Sequence, residues 1–427
     1  MSLFNTIGTR SGVLIKVAAL ATLLAASQAH ALPSFARQTG MDCAGCHIGA
    51  FGPQLTPAGI KFKLGGYTDS DGQEGKLPLS GMVLGSWTNT KADNAEPGAG
   101  LKANNNLKLD EASIFLAGRL TEHMGAFVQA TYDGVEKKTS LDQTDLRYAR
   151  SVEIGGKDTI VGLSVNNNPG VQDPFNTMPV WSFPYVKSKA GYEAGEAASL
   201  INGGLEGRVL GASAYTFFDN AYYAELGSYR SMSPAAQKHL GLGDDSNKLG
   251  GNAYWRLGWL KDLKSQAFQL GLFGWNARLQ PDRSSGNPQD QYRDLGIDGS
   301  YQFLGTREHV ATVNGSFVNQ HKTAGDSGDS SRLREARLNG SYHYNQTWGG
   351  SAGLFSTHGS NPTDATTGYL LQTDWTPWGK EGHSAASPLD AANLRLGAQY
   401  WVYDKFSGES AGAKDHNTLY LFAWTSF

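Results

Sequence analysis

Residues 392–402 read Ala392-Asn393-Leu394-Arg395-Leu396-Gly397-Ala398-Gln399-Tyr400-Trp401-Val402. Ala392, Leu394, Leu396, Ala398, Tyr400 and Val402 recur at every second position, with Asn393, Arg395, Gly397 and Gln399 between them. Successive side chains of a strand point to opposite faces, so each set shares one surface. The stretch reads as one stave of a membrane barrel, with its first face in lipid and its second in the lumen.

The same pattern extends over most of the chain. From residue 79 to the C-terminus there are about sixteen alternating segments, the first at 79–90, the third at 123–133, the sixth at 205–218 and the last at 416–427. In the third, Met124, Ala126, Val128 and Ala130 face outward, and Gln129 and Thr131 inward. The even-numbered breaks are mostly tight, such as Asp219-Asn220 or Gln346 alone, whereas the odd-numbered ones are longer. Short periplasmic turns alternating with long outer loops mark outer-membrane barrels, and an even strand count puts both termini in the periplasm. The fourteenth break, 379–390, is long on the side where turns should be short. The longest break, 167–204, is rich in Pro and aromatics around Pro174, Trp181 and Tyr185; it either folds into the pore or stands outside. The closing segment is aromatic on both faces: Leu419, Leu421, Ala423, Thr425 and Phe427 on one, Tyr420, Phe422 and Trp424 on the other. An interfacial aromatic girdle is the first explanation; an apolar body inside the lumen is the second.

Composition agrees. Hydrophobic residues make up 40% of 427, too few for a bundle of membrane helices, while 54 glycines and 11% aromatics suit a barrel. No window past the N-terminus holds the roughly 18 continuous apolar residues of a membrane helix. Residues 1–31 read as a secretory signal, with Arg10 and Lys16 before an apolar run and Ala29-His30-Ala31 as the cleavage site. The formal net charge of −3 becomes more acidic when those two cations are removed, which disfavours nucleic acid as a partner.

Residues 32–76 are short, poor in strand pattern and hold both cysteines of the chain, in Cys43-Ala44-Gly45-Cys46-His47. Cys-x-x-Cys-His is the attachment signal of a c-type haem. Two thiols reach the two vinyl groups of one porphyrin edge, and the adjacent His turns under the iron as proximal ligand. A thioredoxin-like pair needs a βαβ context, which is missing. A zinc half-site needs a second Cys/His pair, and the next histidine is His123. A disulfide across two intervening residues would be strained. So small a segment also needs a staple, and a covalent haem supplies one. Met41, Met82, His123 and Met124 are candidates for the sixth ligand; Met82 is preferred because the linker enters the first strand there.

The run Pro33-Ser34-Phe35-Ala36-Arg37-Gln38-Thr39-Gly40-Met41, the haem motif, Pro53-Gln54-Leu55-Thr56-Pro57 and Phe62-Lys63-Leu64-Gly65-Gly66-Tyr67 resemble the fused outer-membrane monohaem cytochrome–porins, the iron oxidases of Fe(II)-oxidising bacteria. The motif resemblance covers 33–67; beyond it only length and pattern agree. It implies oxidation of extracellular Fe(II) by one haem c, with electrons passed to a periplasmic c-type cytochrome. One haem is small beside an apolar band about 25 Å tall. The expected architecture is therefore an all-β transmembrane barrel of about sixteen antiparallel strands, residues 77–427, with a small, mostly helical or irregular haem domain, 32–76, plugging its lumen. Loop acids (Asp93, Glu96, Asp173, Asp244, Asp245, Asp326 and Asp329) offer hard oxygen to Fe²⁺, although solvated loop carboxylates are the commoner case. A diffusion porin with a haem-bearing plug, and a conduit for a non-iron donor, are the alternatives.

Overall fold

The computed structural model describes residues 32–427 apart from 192–196, 244–246, 284–285, 287 and 380–392. Sixteen strands close into one barrel: β1 (Leu79–Thr90), β2 (Asn106–Arg119), β3 (Met124–Asp133), β4 (Lys138–Ile154), β5 (Lys157–Asn166), β6 (Val209–Phe218), β7 (Tyr222–Ser231), β8 (Lys248–Asp262), β9 (Gln266–Gln280), β10 (Asp290–Phe303), β11 (His309–Thr323), β12 (Ser330–Tyr344), β13 (Trp348–Gly359), β14 (Thr366–Trp375), β15 (Asn393–Lys405) and β16 (Thr418–Ser426). Each strand pairs with its sequence neighbours, and β1 closes on β16 antiparallel from Met82↔Ser426 to Thr90↔Thr418. Past that register, Phe427 exchanges backbone hydrogen bonds with Gly81 at 2.7 and 2.9 Å. Its ring lies where a β-carbon at Gly81 would be, so only glycine fits opposite the terminal residue.

The exterior is apolar. Leu107, Ile114, Leu163, Leu226, Leu354 and Leu371 are exposed, and Leu396 and Tyr400 share that face of β15. The interior is polar, with Asn393, Arg395 and Gln399 buried on the other face. A closed ladder leaves no unpaired edge, so this exterior suits lipid. The tight turns are as the spacing predicts. Asp219 and Asn220 both have positive φ (52° and 51°), as do Asn345 and Gln346 (51° and 57°). Paired left-handed residues make the type I′ turn whose twist matches a two-residue hairpin. These turns lie at the end of the barrel where β1 begins and β16 stops.

The lumen is filled from two sources. The first is the segment before β1, with α1 (Pro33–Thr39), α2 (Cys43–Cys46) and α3 (Pro57–Leu64). Wall residues all round the barrel hold its backbone. Tyr215 Oη donates to the Leu64 carbonyl at 2.7 Å, Gln302 Nε2 to Leu55 at 2.8 Å and Asn393 Nδ2 to Ala50 at 2.8 Å. The second is the long connection after β5. It folds inward: Asn167, Gln172, Asp173 and Phe175 are buried. Lys63 joins the two, its Nζ donating to the carbonyls of Val171 and Asp173 and to Asn176 Oδ1, each at 2.7 Å.

Several expectations change. The sixth strand starts at Val209, not residue 205, because 200–204 coil into a short helical turn inside the lumen. Asp173 is not an outer-loop acid; it is buried against Arg256 at 3.2 Å. Tyr420 and Phe422 do not form a girdle. They are buried on the lumen face and cluster with Leu84, while Leu421 and Phe427 face out. Residues 1–31, Ala392, Asp244, Asp245 and all but the start of the fourteenth break lie outside the described residues.

Candidate functional site

The Cys43–His47 segment is built by local rules. Pro33 starts α1 and Gly40 ends it in the left-handed conformation, φ 65°, the usual glycine stop. Cys43–Cys46 forms a single helical turn, and the His47 amide donates to the Cys43 carbonyl at 2.7 Å. The chain then leaves the helix, with His47 extended at φ −122°. It returns through paired bonds: Ile48 N to the Gln54 carbonyl at 3.0 Å and Thr56 N to the Cys46 carbonyl at 2.9 Å. Thr56 caps α3 through Gly59 N and also donates its hydroxyl to the Gly45 carbonyl at 2.6 Å. One residue thus ties the cysteine turn to the next helix.

Gly59 is where the two turns touch. A β-carbon there would collide with the Cys46 carbonyl. Gly59→Ala is expected to destabilise this packing by about 1–3 kcal/mol. In detergent-solubilised protein, residues 33–76 should then be cut faster by protease. Unchanged cleavage and unchanged thermal unfolding would show that the two turns are not packed this closely.

Beside this segment lies a cavity of about 450 Å³, lined by Cys43, Cys46, His47, Met41 and Met82 together with Phe35, Phe51, Phe62, Leu84, Phe115, Phe127, Trp181 and Trp424. That volume is within the roughly 300–1,000 Å³ of small-molecule and cofactor sites, and the mostly apolar lining is typical of them. Glu111, Lys187 and Lys189 bring charge to it. Lys189 pairs with Glu111 at 3.3 Å and Asp133 at 2.7 Å. One inward aromatic of β16 belongs to this site: Trp424 lines it and meets Phe51 edge-on, centroids 4.7 Å apart.

Burial sets the chemistry. Burial, reinforced by Asp69, pushes the Cys46 thiol up to about 11. It is no low-pKa redox thiolate, which would need an electropositive, partly exposed setting. Burial pushes His47 down to about 4, against an opposing pull from the Gly52 backbone. Its imidazole is therefore neutral at neutral pH, the form that binds a metal. The buried Nδ1 has no hydrogen-bond partner. Two thiols on one helical turn, a neutral imidazole with an orphaned nitrogen and an apolar cavity beside both fit a covalently tethered planar macrocycle.

Of the candidates for a sixth ligand, Met41 and Met82 line the cavity and His123 and Met124 do not. Met124 faces outward, 40% exposed, and His123 sits in the β2–β3 turn against Tyr148. The loop acids are not brought together: among the described residues no three His, Cys, Asp or Glu side chains are placed to hold a metal ion. Sequence reasoning missed the aromatic wall from Phe115, Phe127 and Trp181, and the charged residues His343 and Asp374 behind the His47 loop. Their only signal was polar or aromatic character at a lumen-facing strand position.

No family model matches the chain, and no curated protein does. Solved structures that align with it are outer-membrane proteins. The anion-selective porin from Comamonas acidovorans is 11% identical, with TM-score 0.47, covering 82% of this chain and 98% of that one. The outer membrane channel DcaP of Acinetobacter baumannii is 10% identical, with TM-score 0.46, 82% and 96% covered. A loop-deletion mutant of OmpT, an outer membrane protein of Vibrio cholerae, is 8% identical, with TM-score 0.45, 82% and 97% covered.

Proposed function

We propose that this chain is an outer-membrane electron-transfer protein. Cys43 and Cys46 tether a c-type haem, His47 binds its iron from the proximal side, and electrons from extracellular Fe(II) pass inward to a periplasmic c-type cytochrome. The observation that carries this reading is the Cys43–His47 segment itself, held inside the lumen against an apolar cavity with its imidazole neutral and open. When bound, a c-type haem supplies a one-electron couple, filled as substrate Fe(II) becomes Fe(III) and emptied into the periplasmic acceptor.

The chain's own residues do the rest. Phe51, Leu84 and Trp424 give the site an apolar wall. Met82, which faces the lumen from β1, remains the preferred sixth ligand; thioether ligation raises the reduction potential relative to two histidines. Residues 33–76 and the connection after β5 both occupy the lumen, which supports electron over solute transport. An even strand count supports a periplasmic position for residues 32–76, at the short-turn end of the barrel. Fe(II) as the donor rests on the resemblance of residues 33–67.

The test uses full-length protein made with its secretion signal in a bacterium that attaches haem in the periplasm. Mass spectrometry of the peptide holding Cys43 and Cys46 should find both thiols bonded to haem, and mixing with Fe(II) should give the reduced c-type spectrum. Unmodified thiols end the reading. Reduction by another donor but not by Fe(II) replaces the substrate. Ion conductance in planar bilayers at full haem occupancy supports the porin instead.

A further inference from the structure

Two lumen-facing residues of β15 grip the backbone just after His47. Asn393 Nδ2 donates to the Ala50 carbonyl at 2.8 Å, and Arg395 Nη2 to the Gly49 carbonyl at 2.9 Å. Arg395 is 2% exposed. Gly49 is left-handed, φ 66°, and a β-carbon there would run into the His343 imidazole and the Arg395 guanidinium. The loop is thus pressed onto the wall. The guanidinium also lies over the Phe51 ring, 5.5 Å from its centroid. Its countercharge is Asp374, Nε to Oδ2 3.5 Å; the other carboxylate oxygen accepts from Gln372 at 2.8 Å.

A fixed cation in a buried site acts strongly on nearby charge, because little solvent screens it. Gaining an electron lowers the charge at a metal, so a cation held close favours the reduced form. Hydrogen bonding and burial near the axial ligand are recognised levers on haem potential. We infer that Arg395 is a positioning residue that fixes the His47 loop and biases a haem bound there toward its reduced state, with the Asp374 carboxylate limiting that bias. This rests on the haem reading above.

The experiment is a redox titration of the haem absorbance in purified full-length protein. Arg395→Gln should lower the midpoint by about 59 mV, a tenfold fall in the equilibrium constant of a one-electron couple. Asp374→Asn should shift it upward, and Arg395→Lys, which keeps the charge, should stay near the wild type. Opposite shifts on removing opposite charges are not what a merely structural role produces. Equal potentials, or shifts of one sign in Arg395→Gln and Asp374→Asn, overturn the inference. If Arg395→Gln does not assemble, the upward shift in Asp374→Asn together with a wild-type value in Arg395→Lys decides it. Wild-type protein with unmodified Cys43 and Cys46 overturns the underlying reading first, and this inference with it.

Discussion

Replacing His47 with alanine should abolish reduction by Fe(II) while leaving the barrel assembled. Cys43 and Cys46 are untouched by the change, so covalent attachment should persist. The side chain adds little to the fold beyond its contact with the Gly52 backbone, since its buried Nδ1 bonds nothing. The barrel rests on sixteen paired strands, none of which includes residue 47. The backbone around it is held by the Ile48–Gln54 and Thr56–Cys46 bonds and by the wall contacts at Gly49 and Ala50, all made by main-chain atoms that alanine keeps. What disappears is the one neutral imidazole in the cavity. Losing a residue that merely orients a metal ligand costs about 10–100-fold, so losing the ligand should exceed that. Stopped-flow absorbance with Fe(II) reads the effect, and heat-modified migration on gels reads assembly. Electron uptake at the wild-type rate would refute the ligand assignment.

The two inserts explain why a barrel of porin size need not behave as a pore. Residues 33–76 bring the cysteine turn, and the connection after β5 locks over it. Asn176 Nδ2 donates to the Pro53 carbonyl at 2.7 Å, and Tyr185 Oη donates to Gln54 Oε1 at 2.9 Å. Each insert lends the other hydrogen bonds that its own short helices cannot supply. The cavity beside Cys43–His47 therefore depends on the wall and on both inserts.

Much of this was legible from residue order. β1 and β5 have the bounds that alternation predicts, because period-two burial is a local property and lipid enforces it on every stave. Residues 43–47 stand out in the sequence because Cys-x-x-Cys-His is a fixed spacing, and the folded chain sets that segment beside the cavity. Less local features were not legible. Nothing in residues 167–204 says whether they turn inward; that is decided by Arg256 and Asp298, some 80 to 120 residues later, which offer buried partners for Asp173 and Thr177. The aromatic face of β16 looked like an interfacial belt. Period two alone shows that Tyr420, Phe422 and Trp424 share a face, but the cavity that Trp424 lines is assembled from β1, β2, β3 and both inserts. A wall drawn from that many segments is visible only once the barrel is closed.

The second large effect is expected at Arg256, in the opposite half of the lumen. Its guanidinium is fully buried between the rings of Phe175 and Phe273, 5.4 and 5.2 Å from their centroids. It pairs with Asp298 at 2.8 Å on the wall and with Asp173 at 3.2 Å on the inward connection. Thr177 Oγ1 donates to Asp298 at 2.8 Å, and the Thr177 and Met178 amides donate to Asp173 at 2.8 and 2.9 Å. Arg256 thus fastens the lumenal insert to the wall on β8; Arg147 on β4 holds it too, its Nη2 donating to the Gln172 carbonyl at 2.6 Å. Arg256→Ala leaves two carboxylates buried and facing each other. Breaking such a pair by removing one partner costs about 3–5 kcal/mol. The β-ladder can outlast that loss, but the insert has no comparable anchor elsewhere on β8. The variant should therefore unfold at lower denaturant and show larger or more frequent ion-conductance steps in planar bilayers than the wild type. Adding Asp173→Asn and Asp298→Asn removes the stranded charges and should recover part of the stability without reseating the insert, so conductance should persist. A variant as stable and as tightly closed as the wild type would show that Arg256 fastens nothing.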